Sequence, residues 1–371
     1  MGQKMEEMKI VHILFSFMNG GIENLLVDIM NHWEKKDHIL LCVVNQEINP
    51  DLVKKIKFQD NRKFVCLNRK PGGARIKYIR QLERILQEFH PDIIHCHSNA
   101  SFRFCCLLKP FHPKTQYILT IHSTRLYSKF GKFDCLLHRL LLNQVFVISK
   151  SVEQEVRERN PKLRKVVLVY NGVDCEKFQK RKNQKEKGKG QFKRIFCIAR
   201  LNPAHKGQDI LLQAIGLLSQ KRQDFFCFFV GAPPVEQPEI SRQLKRMGEQ
   251  LGINNRVFFL GDRGDVPRLL TQADLLILPS RYEGFGIVLI EAMAAGVPVL
   301  GSDIEGIREI VGNNQFGYLF QKENEEDLAE KINYLLDADT SKVVEKADIY
   351  VHSHFCIKVM TEIMRKLYIE G

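Results

Sequence analysis

The fold is decided by residues 274–296, whose sequence is DLLILPSRYEGFGIVLIEAMAAG. The apolar run from Asp274 to Pro279 is typical of a buried strand, and the run from Ile287 to Ala295 predicts a helix that ends at Gly296. Free N–H groups at the start of such a helix, with its partial positive charge, favour a bound phosphate. This order of strand, glycine turn and helix predicts an α/β unit with a ligand at the turn.

Two carboxylates bracket the glycine turn. Glu283 precedes the predicted helix, and Glu291 lies about two turns into it. Gly284 and Gly286 allow a ligand to approach the backbone closely. Because carboxylates would repel a phosphate, we expect both of them to hold sugar hydroxyls. The stretch therefore predicts a site for a sugar joined to a diphosphate.

Short apolar runs alternate with amphipathic runs along the whole chain of 371 residues. This alternation predicts two parallel sheets with helical crossovers, an α/β fold of two Rossmann-like, doubly wound domains. We expect an N-terminal domain at 1–180, a basic linker at 181–193, a C-terminal domain at 194–350 and a last helix at 351–371 that crosses back to the first domain. The predicted strands lie at 10–15, 39–44, 64–67, 92–97, 117–122, 145–149, 166–170, 194–200, 225–231, 257–261, 275–280 and 297–302. The predicted helices lie at 23–33, 76–89, 209–220, 240–251, 287–295, 328–336 and 351–369.

The composition narrows the range of partners. A formal charge of +13 favours phosphate-rich ligands, anionic membranes or nucleic acid. The basic stretch 179–194 has no series of aromatic side chains for base stacking, so we expect a solvated linker and no nucleic-acid partner. Ten cysteines are scattered without a C-x-x-C pair, which predicts reduced thiols and a cytoplasmic protein. No apolar run reaches the ~18–20 residues of a membrane span, and residues 10–17 favour a first strand over a signal peptide.

Two cations follow the first predicted strand of the second domain. Arg200 and Lys206 flank a short loop, and Lys206 with Gly207 opens the next helix. The carboxyl end of a strand is the ligand side of an open α/β sheet, so these cations could clamp a diphosphate through charge-assisted hydrogen bonds. Taken alone, the two cations fit ordinary surface charges better, but together with the Glu283–Glu291 stretch they favour the clamp.

Two features of the first half also lie at predicted strand ends. Gly20 and Gly21 form a glycine turn before a helix, which either serves a ligand or only turns the chain. The turn is not a dinucleotide fingerprint, because the third glycine is missing. His122 ends the strand 117–122, and a histidine in this position is either a structural residue or a catalytic one.

Taken together, these residues resemble the family 4 glycosyltransferases, which have the GT-B architecture of two Rossmann-like domains facing an interdomain cleft. The spacing of Glu283 and Glu291 matches the family's E-x7-E motif, and Val169 to Asp174 matches its N-G-V-D segment. The resemblance covers nearly the whole chain and is densest from Arg194 to Phe320. Ala199 departs from the pattern, since the family usually has glycine before the arginine. The other matches are Gly20-Gly21, Pro91-Asp92-Ile-Ile-His95, Phe259-Leu-Gly261, Ala273-Asp274, Pro279-Ser280, Glu291-Ala-Met-Ala294 and Gly296-Val-Pro298.

The resemblance implies a role for each candidate residue. Glu291 would hold the ribose hydroxyls of the nucleotide, and Glu283 would hold hydroxyls of the donor sugar. Arg200 and Lys206 would grip the diphosphate, and His122 would lie near the transferred sugar. Catalysis would thus rest on Glu283, His122, Arg200 and Lys206. The remaining donor-binding candidates are Gly20, Gly21, Gly284, Phe285 and Gly286.

Two sequence patterns that could bind a metal are less specific than this resemblance. His95 and His97 share one strand face, but the sequence offers no third or fourth ligand at a telling spacing. Asp337 and Asp339 match the D-x-D pattern of metal-using sugar transferases, yet they follow a helical run, which predicts a helix-end cap. We therefore expect no metal and no cofactor, with the nucleotide sugar as substrate.

The expected activity is retaining, metal-independent transfer of a hexose. The donor would be a UDP- or GDP-sugar and the acceptor a saccharide or a polyprenyl-linked saccharide, in the assembly of cell-surface polysaccharide. The alternatives are a sugar-nucleotide epimerase or phosphorylase on the same fold, or a non-catalytic module that binds a nucleotide sugar. The basic charge also predicts peripheral contact with anionic lipid at the inner face of the cell membrane, through Phe102 to Phe104 with Lys109 or through Arg125 to Phe130.

Overall fold

The computed structural model describes residues 7–18, 20–70, 75–178 and 192–371. The chain divides into two compact units, one formed by Met1–Gly172 with Ile357–Gly371 and the other by Val173–Cys356. Most of the predicted basic linker, 181–191, lies outside the described residues. Among the helices of the described ranges, none combines the length and the apolar character that crossing a bilayer requires.

The first unit contains a sheet of seven parallel strands in the order β3-β2-β1-β4-β5-β6-β7. Strand β1 is an interior strand, and its residues Ile10, Val11 and Ile13 are fully buried because helices cover both faces of such a sheet. The neighbours of β1 are β2 and β4, so the winding direction reverses beside it. The strands are β1 Lys9–Leu14, β2 His38–Asn45, β3 Arg62–Arg69, β4 Ile93–Cys96, β5 Gln116–Ile121, β6 Gln144–Val147 and β7 Val166–Leu168.

Helices connect these strands in the right order for parallel crossovers. Ser98 caps α4 through a reciprocal capping box with Ser101, and Ser149 caps α6. The helices are α1 Gly21–His32, α2 Pro50–Val53, α3 Arg75–Phe89, α4 Asn99–Cys105, α5 Lys132–Leu141 and α6 Lys150–Arg159, with 3-10 turns at Cys106–Phe111 and Tyr127–Lys129.

The second unit contains six parallel strands in the order β10-β9-β8-β11-β12-β13. Its strands are β8 Lys193–Ile198, β9 Phe225–Val230, β10 Val257–Phe259, β11 Leu275–Leu278, β12 Val299–Ser302 and β13 Tyr318–Phe320. Its helices are α7 Pro203–Lys206, α8 Gln208–Lys221, α9 Glu239–Gln250, α10 Val266–Leu270, α11 Ile287–Ala294, α12 Glu305–Val311, α13 Glu325–Asp337 and α14 Ser341–His354. The two parallel α/β sheets confirm the predicted fold class.

The C-terminal segment differs from the predicted single helix over 351–369. Helix α14 ends at His354, and α15, Ile357–Glu370, follows after a two-residue break. At the break the Val173 N–H donates to the Phe355 carbonyl (2.8 Å). Both residues belong to the second unit, which begins at Val173 and ends at Cys356. Helix α15 belongs to the first unit, where the Tyr368 ring stacks on Trp33 at a centroid distance of 5.6 Å.

The expected lipid-contacting aromatic residues are in the wrong place for that role. Phe102, Phe104 and Tyr127 are fully buried, and Phe130 is nearly so. The helical spacing of 99–105 and the turn at 127–129 direct these rings into the core of the first unit, where Tyr127 and Phe130 pack on the His138 ring. The two aromatic segments proposed from the sequence therefore cannot present their rings to a membrane.

Candidate active site

Two loops meet at the carboxyl end of the second sheet, and Arg281 joins them. Its backbone N–H donates to the His205 carbonyl at 2.8 Å. Its guanidinium donates to the Pro203 carbonyl at 2.6 Å and to Asp209 at 2.7 Å and 2.9 Å. Hydrogen bonds to Asp209 and Glu323 raise the pKa of Arg281, which keeps it charged. The loop after β8 is therefore fixed against the loop after β11.

Gly207 closes the same junction and requires glycine for two reasons. Its φ of +64° lies in the left-handed region, which side chains with a Cβ rarely adopt. A Cβ at this position would also overlap the carbonyl oxygen of Pro279. The Gly207 backbone therefore packs closely against Pro279. This contact fixes Lys206, the preceding residue, relative to the turn after β11.

Lys206 and Glu283 form an ion pair within this junction. The Lys206 Nζ lies 2.6 Å from Glu283 Oε2, and Ser280 Oγ donates to the same oxygen at 3.2 Å. The side chains are 26% and 13% exposed, so water screens the pair only partly. The structure therefore brings the proposed diphosphate ligand Lys206 and the proposed sugar ligand Glu283 together.

The turn that carries Glu283 leads directly into α11. Gly286, with a φ of +72°, precedes the helix, and no side chain among the described residues caps it. The first backbone N–H groups of α11 are thus suited to an anion. Glu291 lies on α11, as the sequence predicted, and its side chain is half-buried. Gly306 of α12 supports the turn from behind, because a Cβ there would overlap the Glu283 carbonyl oxygen.

The other donor-binding candidates of this unit have different surroundings. Arg200 follows β8 with an exposed side chain, and its carbonyl accepts a hydrogen bond from Gln208 Nε2 at 2.9 Å. Gly284 and Phe285 are buried, and the Phe285 ring packs edge-on against Phe355 at 5.6 Å. Phe285 is therefore a core side chain, which leaves only its backbone for a ligand.

The candidates of the first unit lie at the ends of β1 and β5. Gly20 is extended, with a φ of −165°, and Gly21 begins α1, so neither glycine has a left-handed backbone. His122 directly follows β5, and its Nε2 lies 3.1 Å from His97 Nδ1. These candidates belong to the first unit, whereas Arg200, Lys206, Glu283 and Glu291 belong to the second.

Sequence reasoning missed a cluster of histidines around His122. His12 of β1 lies opposite His95 of β4 in the parallel register, and ring nitrogens of His12, His95 and His97 lie within 4.8 Å of one another. The third histidine therefore comes from a strand more than eighty positions away in the chain, with no local motif. Burial lowers the pKa of His12 to about 3 and that of His122 to about 4, so both rings are neutral at pH 7.

The aspartates of the D-x-D pattern lie at helix ends, as predicted. Asp337 is the last residue of α13 and accepts a hydrogen bond from Arg222 at 2.9 Å. The Asp339 carboxylate accepts a hydrogen bond from the Ser341 N–H at 3.0 Å, at the start of α14. Asp339 thus caps the start of α14, and Asp337 links the end of α13 to Arg222, the residue after α8.

Two family models match nearly the whole chain. Glycosyltransferase Family 4 matches residues 19–177, and Glycosyl transferases group 1 matches residues 178–350. The chain is 30% identical over 271 residues to an uncharacterized glycosyltransferase of Methanocaldococcus jannaschii, a match that covers 66% of each chain. It is 28% identical over 267 residues to the N-acetyl-alpha-D-glucosaminyl L-malate synthase of Bacillus anthracis, covering 69% of this chain and 68% of the other.

Solved structures show the same fold. The Anabaena protein HepE, crystallised with UDP and glucose, superposes with a TM-score of 0.83 at 21% identity, covering 98% of this chain and 100% of that one. A glycosyltransferase from Rickettsia africae superposes with a TM-score of 0.82 at 22% identity and covers 98% of both chains. The two family matches and the shared two-sheet fold lead to one assignment: the chain belongs to the family 4 glycosyltransferases and has the GT-B fold.

Proposed function

We propose that the protein transfers a hexose, with retention of configuration, from a nucleoside-diphosphate sugar to a saccharide or a polyprenyl-linked acceptor. The observation that carries the proposal is the pairing of Lys206 with Glu283 at the carboxyl end of the second sheet, beside the start of α11. A cation, a helix start and a carboxylate in one place suit a phosphate and a sugar that are covalently joined. The HepE structure with UDP and glucose supports UDP or a related nucleotide as the donor's carrier.

The hard step is departure of the diphosphate while the sugar becomes oxocarbenium-like. Arg200, Lys206 and the N terminus of α11 would hold the diphosphate as its negative charge grows, which stabilises the transition state more than the bound donor. These groups supply the charge that a metal supplies in other transferases, so the proposal includes no metal. Glu291 would bind the ribose, about one turn along α11 from the helix start that would hold the phosphates.

The proposal assigns Glu283 to sugar binding and not to nucleophilic attack. Its Oε2 already accepts hydrogen bonds from Lys206 and Ser280, which lowers its nucleophilicity and leaves the carboxylate suited to accept further bonds from hydroxyls. Retention would then follow from attack on the face that the diphosphate leaves, with a phosphate oxygen taking the acceptor's proton. The family resemblance implies that His122 is the catalytic residue of the first unit, and the proposal includes this role.

A screen of nucleotide sugars tests this assignment. A donor at 100 times its Kd should raise the free energy of unfolding by about 2.7 kcal/mol, which thermal unfolding detects. UDP- and GDP-sugars that stabilise the protein are then incubated with and without saccharide or polyprenyl-linked acceptors, and product is followed by mass spectrometry. Acceptor-dependent release of the nucleoside diphosphate supports transfer. Conversion of the donor without acceptor indicates an epimerase, and binding without turnover indicates a binding module.

We also propose that the protein contacts an anionic membrane. The contacting element would be α5, in place of the two aromatic segments suggested by the sequence. Phe133, Leu136 and Leu140 share one face of this helix and are 60%, 44% and 68% exposed. Lys129, Lys132 and Arg139 lie beside them with exposed side chains. An apolar face bordered by cations fits the surface of an anionic bilayer, where each basic residue contributes about 1 kcal/mol.

This membrane proposal also places the enzyme at the inner face of the cell membrane, in the assembly of cell-surface polysaccharide. Sedimentation with vesicles of neutral lipid, or of neutral lipid with 30 mol% phosphatidylglycerol (about a third anionic), tests it. Binding should require the anionic lipid and should decrease in the Phe133→Ser and Leu140→Ser variant. A Tyr334→Ser variant, which removes an exposed apolar side chain of the second unit, is the matched control. Equal binding to both vesicle types would contradict the proposal.

A further inference from the structure

Three histidines of the first unit form a chain of hydrogen bonds that ends at His122. His12 Nδ1 lies 2.9 Å from His97 Nε2, and His97 Nδ1 lies 3.1 Å from His122 Nε2. His97 therefore uses both ring nitrogens to join its neighbours. The three residues come from β1, the end of β4 and the end of β5, which are adjacent in the sheet.

A fourth histidine holds this chain in place from the side. His95 bonds through Nδ1 to Tyr368 Oη at 2.5 Å and through Nε2 to Thr120 Oγ1 at 2.6 Å. Its ring stacks on that of His97 at a centroid distance of 4.4 Å. Because both nitrogens of His95 and both nitrogens of His97 are already bonded, metal binding by His12, His95 and His97 would have to break these bonds.

The tautomers of the three rings are coupled. A neutral imidazole carries one N–H, and each contact between two ring nitrogens needs one donor and one acceptor. Only two arrangements satisfy both contacts. Either all three rings carry the proton on Nδ1, so that His122 donates from Nδ1, or all three carry it on Nε2, so that His122 accepts at Nδ1.

The two ends of the chain decide between these arrangements. Neither His12 Nε2 nor His122 Nδ1 has a hydrogen-bond partner among the described residues, and both atoms are buried. His12 is 0% exposed, and a buried N–H without a partner is rarer than a buried acceptor without one. Each arrangement leaves an N–H at one end of the chain and a lone pair at the other. The Nδ1–H arrangement puts the N–H at His122, which is partly exposed, and the lone pair at the fully buried His12, so it is the less costly one.

The surroundings of His122 favour the same arrangement. His122 and Asn171 line a cavity of about 10 Å³, and Asn171 Oδ1 is another buried atom that lacks a partner in the described part of the chain. A volume of this size accommodates about one water molecule. One water in this cavity would accept from an N–H on His122 Nδ1 and could donate to Asn171 Oδ1, which satisfies both groups.

We propose that His97 and His12 are positioning residues, which fix His122 in the Nδ1–H tautomer so that its donor lies beside the cavity lined by His122 and Asn171. The role of this donor in catalysis rests on the proposed function, whereas the tautomer does not. Burial also lowers the pKa of His95 and His97 well below the ordinary histidine value, so these rings stay neutral. Each ring then carries one N–H, and the hydrogen bonds determine which nitrogen carries it.

Nuclear magnetic resonance on the full-length protein tests the tautomer directly. Long-range ¹H–¹⁵N correlation spectra of ¹⁵N-histidine-labelled protein should show Nδ1–H tautomers for His12, His97 and His122, without any ligand. Resonances are assigned by comparison with single-histidine variants. Nε2–H tautomers at His97 and His122 would overturn the proposal. So would one equivalent of Zn²⁺ that displaces these protons and shifts the ring nitrogens, since a metal site would then explain the cluster.

A pair of variants tests the positioning role. In His97→Phe, His122 should lose its preference for Nδ1–H, and kcat should fall about 10–100-fold with KM changed less than about twofold. His90→Asn is the control, because His90 is exposed and its φ of +51° is one that asparagine tolerates. An unchanged kcat in a folded His97→Phe protein would overturn the positioning role. Wild-type protein without transfer activity would refute the proposed function and leave the tautomer result standing.

Discussion

Lys206 Nζ lies 2.6 Å from Glu283 Oε2, although 77 positions separate the two residues in the chain. The pair places a cation of the loop after β8 beside a carboxylate of the loop after β11. In the unliganded protein each group balances the charge of the other. We infer that a diphosphate sugar binds by sharing these two partners, with its phosphate toward Lys206 and its hydroxyls toward Glu283.

The first prediction concerns Lys206. In Lys206→Met, kcat should fall about 10²–10³-fold, because a donor fixed at the developing negative charge is lost. Steady-state kinetics with the donor found in the nucleotide-sugar screen measures the effect. Lys221→Met removes an exposed cation at the far end of α8 and should leave kcat unchanged. Full turnover by Lys206→Met at saturating donor would remove this residue from the mechanism.

The second prediction compares two glycines that share a left-handed backbone. Gly252, with a φ of +68°, has open space where a Cβ would go, so Gly252→Ala should cost only the backbone strain of about 1–2 kcal/mol. Gly207→Ala should cost a further ~1–3 kcal/mol because of the overlap with the Pro279 carbonyl. Urea unfolding of both variants measures the difference, and equal costs would mean that the Gly207 junction relaxes easily.

The third prediction concerns the anchor of α15. Arg365 Nε lies 2.8 Å from Asp37 Oδ2, and the side chains are 8% and 0% exposed. Arg365→Met removes the cation that bonds directly to the buried Asp37 carboxylate, and breaking a buried pair in this way typically costs about 3–5 kcal/mol of unfolding free energy. Lys366→Met, on the same helix but 77% exposed, should change stability by less than about 0.5 kcal/mol. Similar unfolding midpoints for the two variants would show that the buried pair contributes little.

The fourth prediction is a loss of stability in mild acid. Burial lowers the pKa of His12 to about 3 and those of His122 and His138 to about 4, whereas in the unfolded chain a histidine titrates near 6.5. The unfolded state therefore binds more protons below pH 6.5, and the free energy of unfolding should decrease as the pH falls from 6.5 toward 4. Each histidine contributes at most about 1.4 kcal/mol per pH unit.

Thermal unfolding at pH 7.5, 6.5, 5.5 and about 5 checks this acid sensitivity. The midpoint should decrease slightly between the first two values, since the unfolded histidines are half protonated at about pH 6.5, and more steeply below that. A His138→Gln variant should show a shallower decrease than the wild type, because Gln does not titrate. A midpoint that is independent of pH down to 5 would show that these histidines are not buried as neutral rings in the folded protein.

Much of the fold follows from apolar runs that are long enough to fill a strand or a helix. The run after Asp274 predicted β11, and the turn at 281–286 predicted α11 with Glu283 before it and Glu291 on it. The short strand Tyr318–Phe320 was missed, because three residues carry too little periodicity. The break at Phe355 and Cys356 was also missed, since both residues suit the apolar pattern of a continuous helix.

The candidate site was predictable where function depends on residues close in sequence or at strand ends. The pairing of Lys206 with Glu283 agrees with the rule that ligands lie at the carboxyl ends of parallel strands. The histidine chain could not be predicted, because His12 and His97 are 85 positions apart and meet only through the pairing of β1 with β4. The role of Arg281 likewise depends on contacts with Pro203 and Asp209 that no local pattern indicates.

The most direct test of the account is isothermal titration with a nucleoside diphosphate and with its sugar-bearing form, on three proteins. Glu291→Gln should weaken both ligands by a similar factor, because it would lose hydrogen bonds to the ribose. Glu283→Gln should weaken the nucleotide sugar, by about tenfold or more for a lost charged hydrogen bond. It should not weaken the nucleoside diphosphate, because Lys206 loses its carboxylate partner and remains available to the phosphates. If Glu283→Gln binds the nucleotide sugar as tightly as the wild-type protein does, the proposed division of the site between sugar and diphosphate is wrong.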